Sequence, residues 1–178
     1  MNKNWGFLPF NQINMIILNQ EQIKQKIKRM AIEIYERHSD EKKLFLAGIN
    51  TKGYEIAKLL SLQISELSPI QCELLHIHLN PAQPTEHPIS LNVDSSLLRN
   101  KSVIITDDVA NTGRTLFYSF KTIMDIVPKK LEVAVLIERT HKGFPIHVDF
   151  VGMKLATTLK DNIEVALDSA NDWKVSLN

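Results

Sequence analysis

Apolar positions along this chain switch repeatedly between two spacings. Ile23, Ile27, Met30, Ala31 and Ile34 recur at helical intervals behind Asn19, a residue suited to an N-cap, while Lys24, Lys26, Lys28 and Arg29 suit the solvated face of that helix. Short apolar runs predict strands over about 44–49, 72–79, 102–106 and 131–137. Between them, helical spacing predicts helices over about 53–67 and 115–127, the second with a stripe of Leu116, Phe117, Phe120, Ile123, Met124 and Val127. Strands that alternate with helices imply parallel βαβ units and therefore an α/β chain with a doubly wound, mostly parallel sheet. Ligands bind beyond the C-terminal ends of strands in such sheets, so the loops after 44–49 and 102–106 should converge on one crevice.

The loop after the third predicted strand carries the chemistry. Asp107 and Asp108 are followed by Ala110, Asn111, Thr112, Gly113, Arg114 and Thr115, a small polar turn that opens a helix. Gly113 lets backbone approach an anion closely, free N–H groups and the hydroxyls of Thr112 and Thr115 add donors, and the turn suits a monophosphate. The two carboxylates are natural acceptors for vicinal sugar hydroxyls and hard-oxygen ligands for Mg²⁺. The plainer reading, acids and a Thr-Gly turn that merely cap a helix, accounts for each part but not for their uninterrupted order. No Walker pattern and no Gly-x-Gly-x-x-Gly occurs. The earlier loop, Asn50, Thr51, Lys52 and Gly53, offers backbone donors and one ammonium to a pyrophosphate; its plainer reading is a strand-to-helix turn with Lys52 in water.

Composition narrows the class. At 178 residues and 44% hydrophobic the chain suits one domain with a full core, and a net charge of +1 provides no global basic field for nucleic acid. Cys72 is the only cysteine, which excludes an internal disulfide and fits a small core residue in a reducing cytoplasm. No apolar run reaches the ~20 residues of a membrane span and no secretory h-region is visible, so no membrane association and a cytoplasmic location are expected.

Asp107 to Thr115 resembles the phosphoribosyl pyrophosphate motif of type I phosphoribosyltransferases. Ile17 to His38, Leu46 to Gly53 with Ile56 and Ala57, and Ala134 to Arg139 with Pro145 and Ile146 are similar, in order, to one subfamily, the bifunctional pyrimidine operon attenuator and uracil phosphoribosyltransferase. The likeness runs over about residues 16–168. It implies a single domain over 1–178 with an N-terminal arm at 1–15, a shortened flexible loop at about 80–98 and a small C-terminal hood at about 148–168. It also implies transfer of a phosphoribosyl group to a nucleobase, uracil first, with Mg²⁺ as cofactor and a homodimer as the assembly. By the same resemblance Asp107 and Asp108 are the catalytic and metal-holding residues, Ala110 to Thr115 take the 5′-phosphate, and Asn50 to Gly53 take the pyrophosphate. Met153, Lys154 and Leu155 then face the base.

Three departures from the subfamily stand out. Lys52 replaces the more usual Arg, which keeps charge but gives up the bidentate fork. The loop that should close over the leaving group has no Lys or Arg from Ile77 through Leu98 and contains Pro81, Pro84 and Pro88, leaving His76, His78 and His87 as its sources of positive charge. Arg29, His141 and Lys142 match basic positions of the subfamily's RNA surface, whereas Ile32 and His147 do not, so an RNA-binding regulator ranks behind the enzyme.

Overall fold

The computed structural model describes residues 15–156, 162–167 and 172–178, so all of the expected N-terminal arm except Met15, and part of the expected hood, lie outside the described residues. The first helix is built as its sequence dictates. In α1 (Gln20–Arg37) the Asn19 side chain accepts from the Gln22 N–H and the Gln22 side chain accepts from the Asn19 N–H, both at 3.0 Å, so a capping box satisfies two otherwise orphaned donors. Its buried residues are Ile23, Ile27, Met30, Ala31 and Ile34, the stripe read from the sequence.

The main sheet has six strands in the order β4-β3-β2-β5-β6-β7: β2 (Lys43–Ile49), β3 (Gln71–His78), β4 (Ser90–Leu91), β5 (Ser102–Ala110), β6 (Lys130–Arg139) and β7 (Phe150–Leu155). All its pairs are parallel except β3 with β4, so the α/β, mostly parallel sheet expected from the alternation is what the chain forms. Alternate residues of β2 face opposite cores. Leu44 and Leu46 join Ile27, Ile34, Ile56 and Leu60 of α1 and α2 (Asn50–Leu67), while Phe45, Ala47 and Ile49 join Leu116, Ile123 and Val133 on the other face. A second sheet is antiparallel, β1 (Met15–Asn19), β9 (Lys174–Leu177) and β8 (Ile163–Ala166) in that order.

Two expectations need correction. The helix expected over 115–127 is shorter: α3 spans Arg114–Ser119 and passes into a 3₁₀ turn at Phe120–Thr122. The Ser119 hydroxyl bonds the Leu116 carbonyl at 2.7 Å and the Thr122 hydroxyl bonds the Ser119 carbonyl at 2.9 Å, and Pro128 disfavours helical backbone at the residue before it. Met124 and Val127, placed on the buried stripe, are therefore 69% and 74% exposed. The hood expected at about 148–168 is divided, because Phe150–Leu155 extends the main sheet and Ile163–Ala166 pairs in the small one. That small sheet also recruits β1, a strand hidden in the sequence because Asn19 ends it and caps α1 at once.

The end of α1 is fixed to the opening of β6. His38 is fully buried and its Nε2 lies 2.6 Å from the Glu132 carboxylate, which also accepts from Arg37 at 3.0 Å. Burial alone would push the Glu132 carboxyl up, but the His38 and Arg37 contacts outweigh it and hold the group below the usual carboxylate range.

Candidate functional site

Val103, Ile104 and Ile105 are fully buried in the centre of the sheet, so β5 delivers whatever follows them to a fixed place. Its neighbour on the next loop is fixed by close backbone approach. The Thr106 hydroxyl donates to the Gly53 carbonyl at 2.7 Å, and a Cβ on Gly53 would press into the Thr106 carbonyl oxygen. Only glycine lets the start of α2 come this near to β5.

Asp107 and Asp108 then occupy unlike surroundings. Asp107 is 7% exposed and its carboxylate accepts from the Asp108 N–H at 2.9 Å. Burial, and next the neighbouring Asp108 charge, push the Asp107 carboxyl well above its ordinary range, with Lys52 opposing. Asp108 accepts from the Val109 N–H at 2.9 Å and turns its other oxygen to Lys52 Nζ at 3.5 Å. One carboxyl is thus nearly buried while the other closes an ion pair between the two loops.

The turn after them is braced from behind. Gly113 has φ +84°, a left-handed conformation that other residues adopt at a cost, and Ile146 and Phe144 lie against it. The Thr112 carbonyl accepts from the N–H groups of Gly143 and Phe144 at 2.9 and 3.1 Å. Lys142 Nζ donates to the carbonyls of Ala110 and Arg139 at 3.1 and 3.0 Å, and Arg139, 3% exposed, donates to the Asn111 side chain at 3.1 Å. With its carbonyls drawn backwards, the turn forms a small cup lined by Asp107 and residues 109–116. Because α3 has only six residues, the donors of this cup are the turn's own N–H groups and hydroxyls rather than a long helix dipole.

A second cavity joins the loops: Asn50, Thr51 and Lys52 form one wall, Asp107, Asp108 and Thr115 another, and Pro81 stands at its rim. Residues 15–170 match the family model described as phosphoribosyl transferase domain. This chain belongs to that family. It is 32% identical over 157 residues to the "Bifunctional protein PyrR" of Haemophilus ducreyi, covering 84% of this chain and 88% of that protein. A protein of the same name from Macrococcus caseolyticus is also 32% identical, with coverages of 88% and 94%. Among solved structures, a hypoxanthine-guanine phosphoribosyltransferase from Bacillus anthracis superposes with a TM-score of 0.74 at 17% identity, over 94% of this chain and 98% of that one, a likeness of fold.

Within this phosphoribosyl transferase domain the expected pyrophosphate residues divide. Thr51 and Lys52 face the shared cavity, but the Asn50 side chain is spent elsewhere: it donates to the Leu79 carbonyl at 3.0 Å and accepts from the Leu79 N–H at 3.1 Å. Met153, Lys154 and Leu155 sit on β7, two strands from β5, and line neither the cup nor the shared cavity. Met153 and Leu155 pack on the α1–α2 side of the sheet, and Lys154 points to Glu138 at 3.5 Å. What does adjoin Lys52 is a third cavity, bounded by Thr51, Lys52, Glu55 and residues 164–167 at the end of β8. Sequence reasoning placed those last residues in the expected hood but named none of them as site residues; the apolar run Val165, Ala166 and Leu167 between Glu164 and Asp168 was their only signal.

Among the described residues, no cluster of three or more His, Cys, Asp or Glu side chains can by itself hold a metal ion. The donor set nevertheless fits Mg²⁺ in the manner of substrate-completed sites, where one or two carboxylates share the ion with phosphate oxygens. Of the three histidines near the loop, His76 lies between Tyr54, on which it stacks, and the tilted ring of His78, with ring centroids 4.8 and 3.9 Å away. Burial and then the His78 charge push its pKa down, which disfavours a charged imidazole at that position.

Proposed function

We propose that this chain transfers the phosphoribosyl group of phosphoribosyl pyrophosphate to a nucleobase, with uracil as the acceptor. The observation that supports it is the shared cavity, which sets an ammonium on one loop against two carboxylates on the other, with the cup of residues 109–116 adjoining. In the reaction the bond between the anomeric carbon and pyrophosphate breaks, a base nitrogen bonds to that carbon, and the nitrogen's proton passes to solvent. The turn at residues 110–115 binds the 5′-phosphate, the Asp107 and Asp108 carboxyl groups orient the ribose hydroxyls, and Lys52 with the Thr51 and Lys52 amides neutralises the leaving pyrophosphate. Asp107 and Asp108 would hold Mg²⁺, which supplies further charge neutralisation to the pyrophosphate. Asp108, being the open one of the pair, favours the positive charge that develops on the ribose ring.

Uracil rests on the subfamily resemblance of the whole chain, and the homodimer and cytoplasmic location rest on it as well. No helix of the described residues is long and apolar enough to cross a membrane. The base is read by the end of β8 rather than by Met153, Lys154 and Leu155, since residues 164–167 border the cavity that Lys52 also lines. An RNA-regulating role is the weaker reading. Arg29 is engaged by Glu33 and by the carbonyls of Val151 and Gly152, and Lys142 is bonded to the phosphate turn, so two of the three matching basic residues have structural duties.

Release of pyrophosphate from phosphoribosyl pyrophosphate, with Mg²⁺ and with uracil, hypoxanthine, guanine or orotate in turn, tests the reading. Turnover with uracil that disappears in an Asp107→Asn, Asp108→Asn double variant is the expected result. A wild-type chain that binds the sugar phosphate yet turns over no base would refute it.

A further inference from the structure

Two side chains hold the root of the 80–98 segment, and each belongs to one of the ligand loops. Asn50, at φ +48°, takes both backbone groups of Leu79 with its half-buried amide. Arg114, on the phosphate turn, donates from Nη2 to the Pro81 carbonyl at 2.9 Å. The two grips differ in kind. The Asn50 amide matches its partners donor for acceptor and has nothing better to bind. The Arg114 guanidinium is exposed, and its one side-chain hydrogen bond among the described residues is to a neutral carbonyl.

Arg114 also lines the cup that suits a phosphate. A guanidinium bonds a phosphate through charge-assisted, often bidentate contacts roughly twice as strong as those to a neutral acceptor, so an anion in the cup outcompetes Pro81. Beyond Pro81, until Ile89 packs against the core that contains Ile77, Leu79 and Leu98, little else holds the segment. Its hydrogen bonds there are local, from the Ala82 N–H to the Asn80 side chain at 3.0 Å and from the Glu86 N–H to the Gln83 carbonyl at 3.2 Å, until Ser90 and Leu91 pair with β3. Pro81 itself stands at the rim of the cavity between the loops.

We infer that Arg114 is a positioning residue for this segment: a latch that holds Pro81 while the cup is empty and lets go when a sugar phosphate fills it, with Asn50 as the fixed pivot. The inference rests on the phosphoribosyl reading of the cup. It gives a loop that has no Lys or Arg of its own a means of responding to substrate, because the responding charge sits on the neighbouring turn.

Hydrogen–deuterium exchange of the full chain, with ribose 5-phosphate as the probe and calorimetry to establish its binding, decides the matter. In the wild type, saturating ribose 5-phosphate should speed exchange across residues 82–89 by about three- to tenfold, the factor for losing one ordinary exposed hydrogen bond. Arg114→Ala should exchange at that faster rate without ligand and change no further at saturation, while Arg114→Lys should keep part of the response. Binding without any change in residues 82–89 of the wild type, or an Arg114→Ala variant that responds like wild type, would overturn the latch alone. Failure of the wild type to bind ribose 5-phosphate would overturn the reading of the cup, and the latch with it.

Discussion

The Thr106 hydroxyl donates to the Gly53 carbonyl at 2.7 Å, tying the start of α2 to β5 at the level where both loops of the shared cavity begin. Replacing Gly53 by Ala should favour the helix by up to about 1 kcal/mol on propensity. The added Cβ, however, would meet the backbone oxygen of Thr106, which has no rotamer to escape into. Overpacking of this kind costs about 1–3 kcal/mol, so the variant should be less stable than wild type in urea unfolding. A Gly53→Ala chain of higher stability would show that the approach is looser than described.

Lys52 should matter to substrate far more than to folding. Its ion pair with Asp108 is solvent-exposed on the lysine side, and such pairs contribute at most about 1 kcal/mol. Lys52→Met should therefore leave the melting temperature nearly unchanged while raising KM for phosphoribosyl pyrophosphate about tenfold, the effect of losing roughly 1.4 kcal/mol of binding. Lys52→Arg should recover most of that loss in the same steady-state assay.

The burial of Asp107 carries a stability cost that depends on pH. Its carboxyl titrates above the ordinary range in the folded chain, so folding binds the proton more tightly than the unfolded state does. Stability is therefore lost as pH rises from the usual carboxylate range through the raised folded value. Asp107→Asn removes that cost. The variant should unfold at a higher denaturant concentration than wild type at neutral pH, and the difference should vanish below about pH 4, the ordinary range for Asp. A gap that widens towards acid would contradict this.

Glu132 has the opposite sign. Its folded pKa is held low, so it stabilises the chain above the usual carboxylate range, and that contribution is lost as pH falls through the lowered value. His38→Ala removes the stronger of its two partners and leaves a partly buried carboxylate poorly paired. Loss of about 2–4 kcal/mol is expected, together with an acid-unfolding midpoint shifted to higher pH, as followed by circular dichroism.

What could be read from the sequence was whatever is local along the chain. The Asn19 cap and the stripe from Ile23 to Ile34 depend on neighbours within a few turns, and the run from Asp107 to Thr115 is covalently continuous, so its strand, acids and turn could be placed without knowing what surrounds them. Partnerships across the fold were not legible. Nothing near Asn50 announces that its amide will seek Leu79, or near Lys142 that its ammonium will seek Ala110. The ending of α3 was misread for another reason: hydroxyls at Ser119 and Thr122 compete for backbone groups, a contest that apolar periodicity does not register. Met153, Lys154 and Leu155 were expected beside the ligand because a hood was drawn as one segment, whereas the chain spends them on the edge of the main sheet.

The pairing of β1 with β9 sets a folding order. Met15 lies opposite Leu177, while neighbouring strands of the main sheet are joined by far shorter stretches of chain. Closing so long a loop is entropically dear and is compensated only once the intervening chain is compact. The two loops of the shared cavity, carried by β2 and β5, can therefore assemble while β1 and β9 are still apart, and the small sheet that borders Lys52 through β8 is the last part of the candidate site to acquire its shape. A refolding chain should regain sugar-phosphate binding before it regains discrimination among bases.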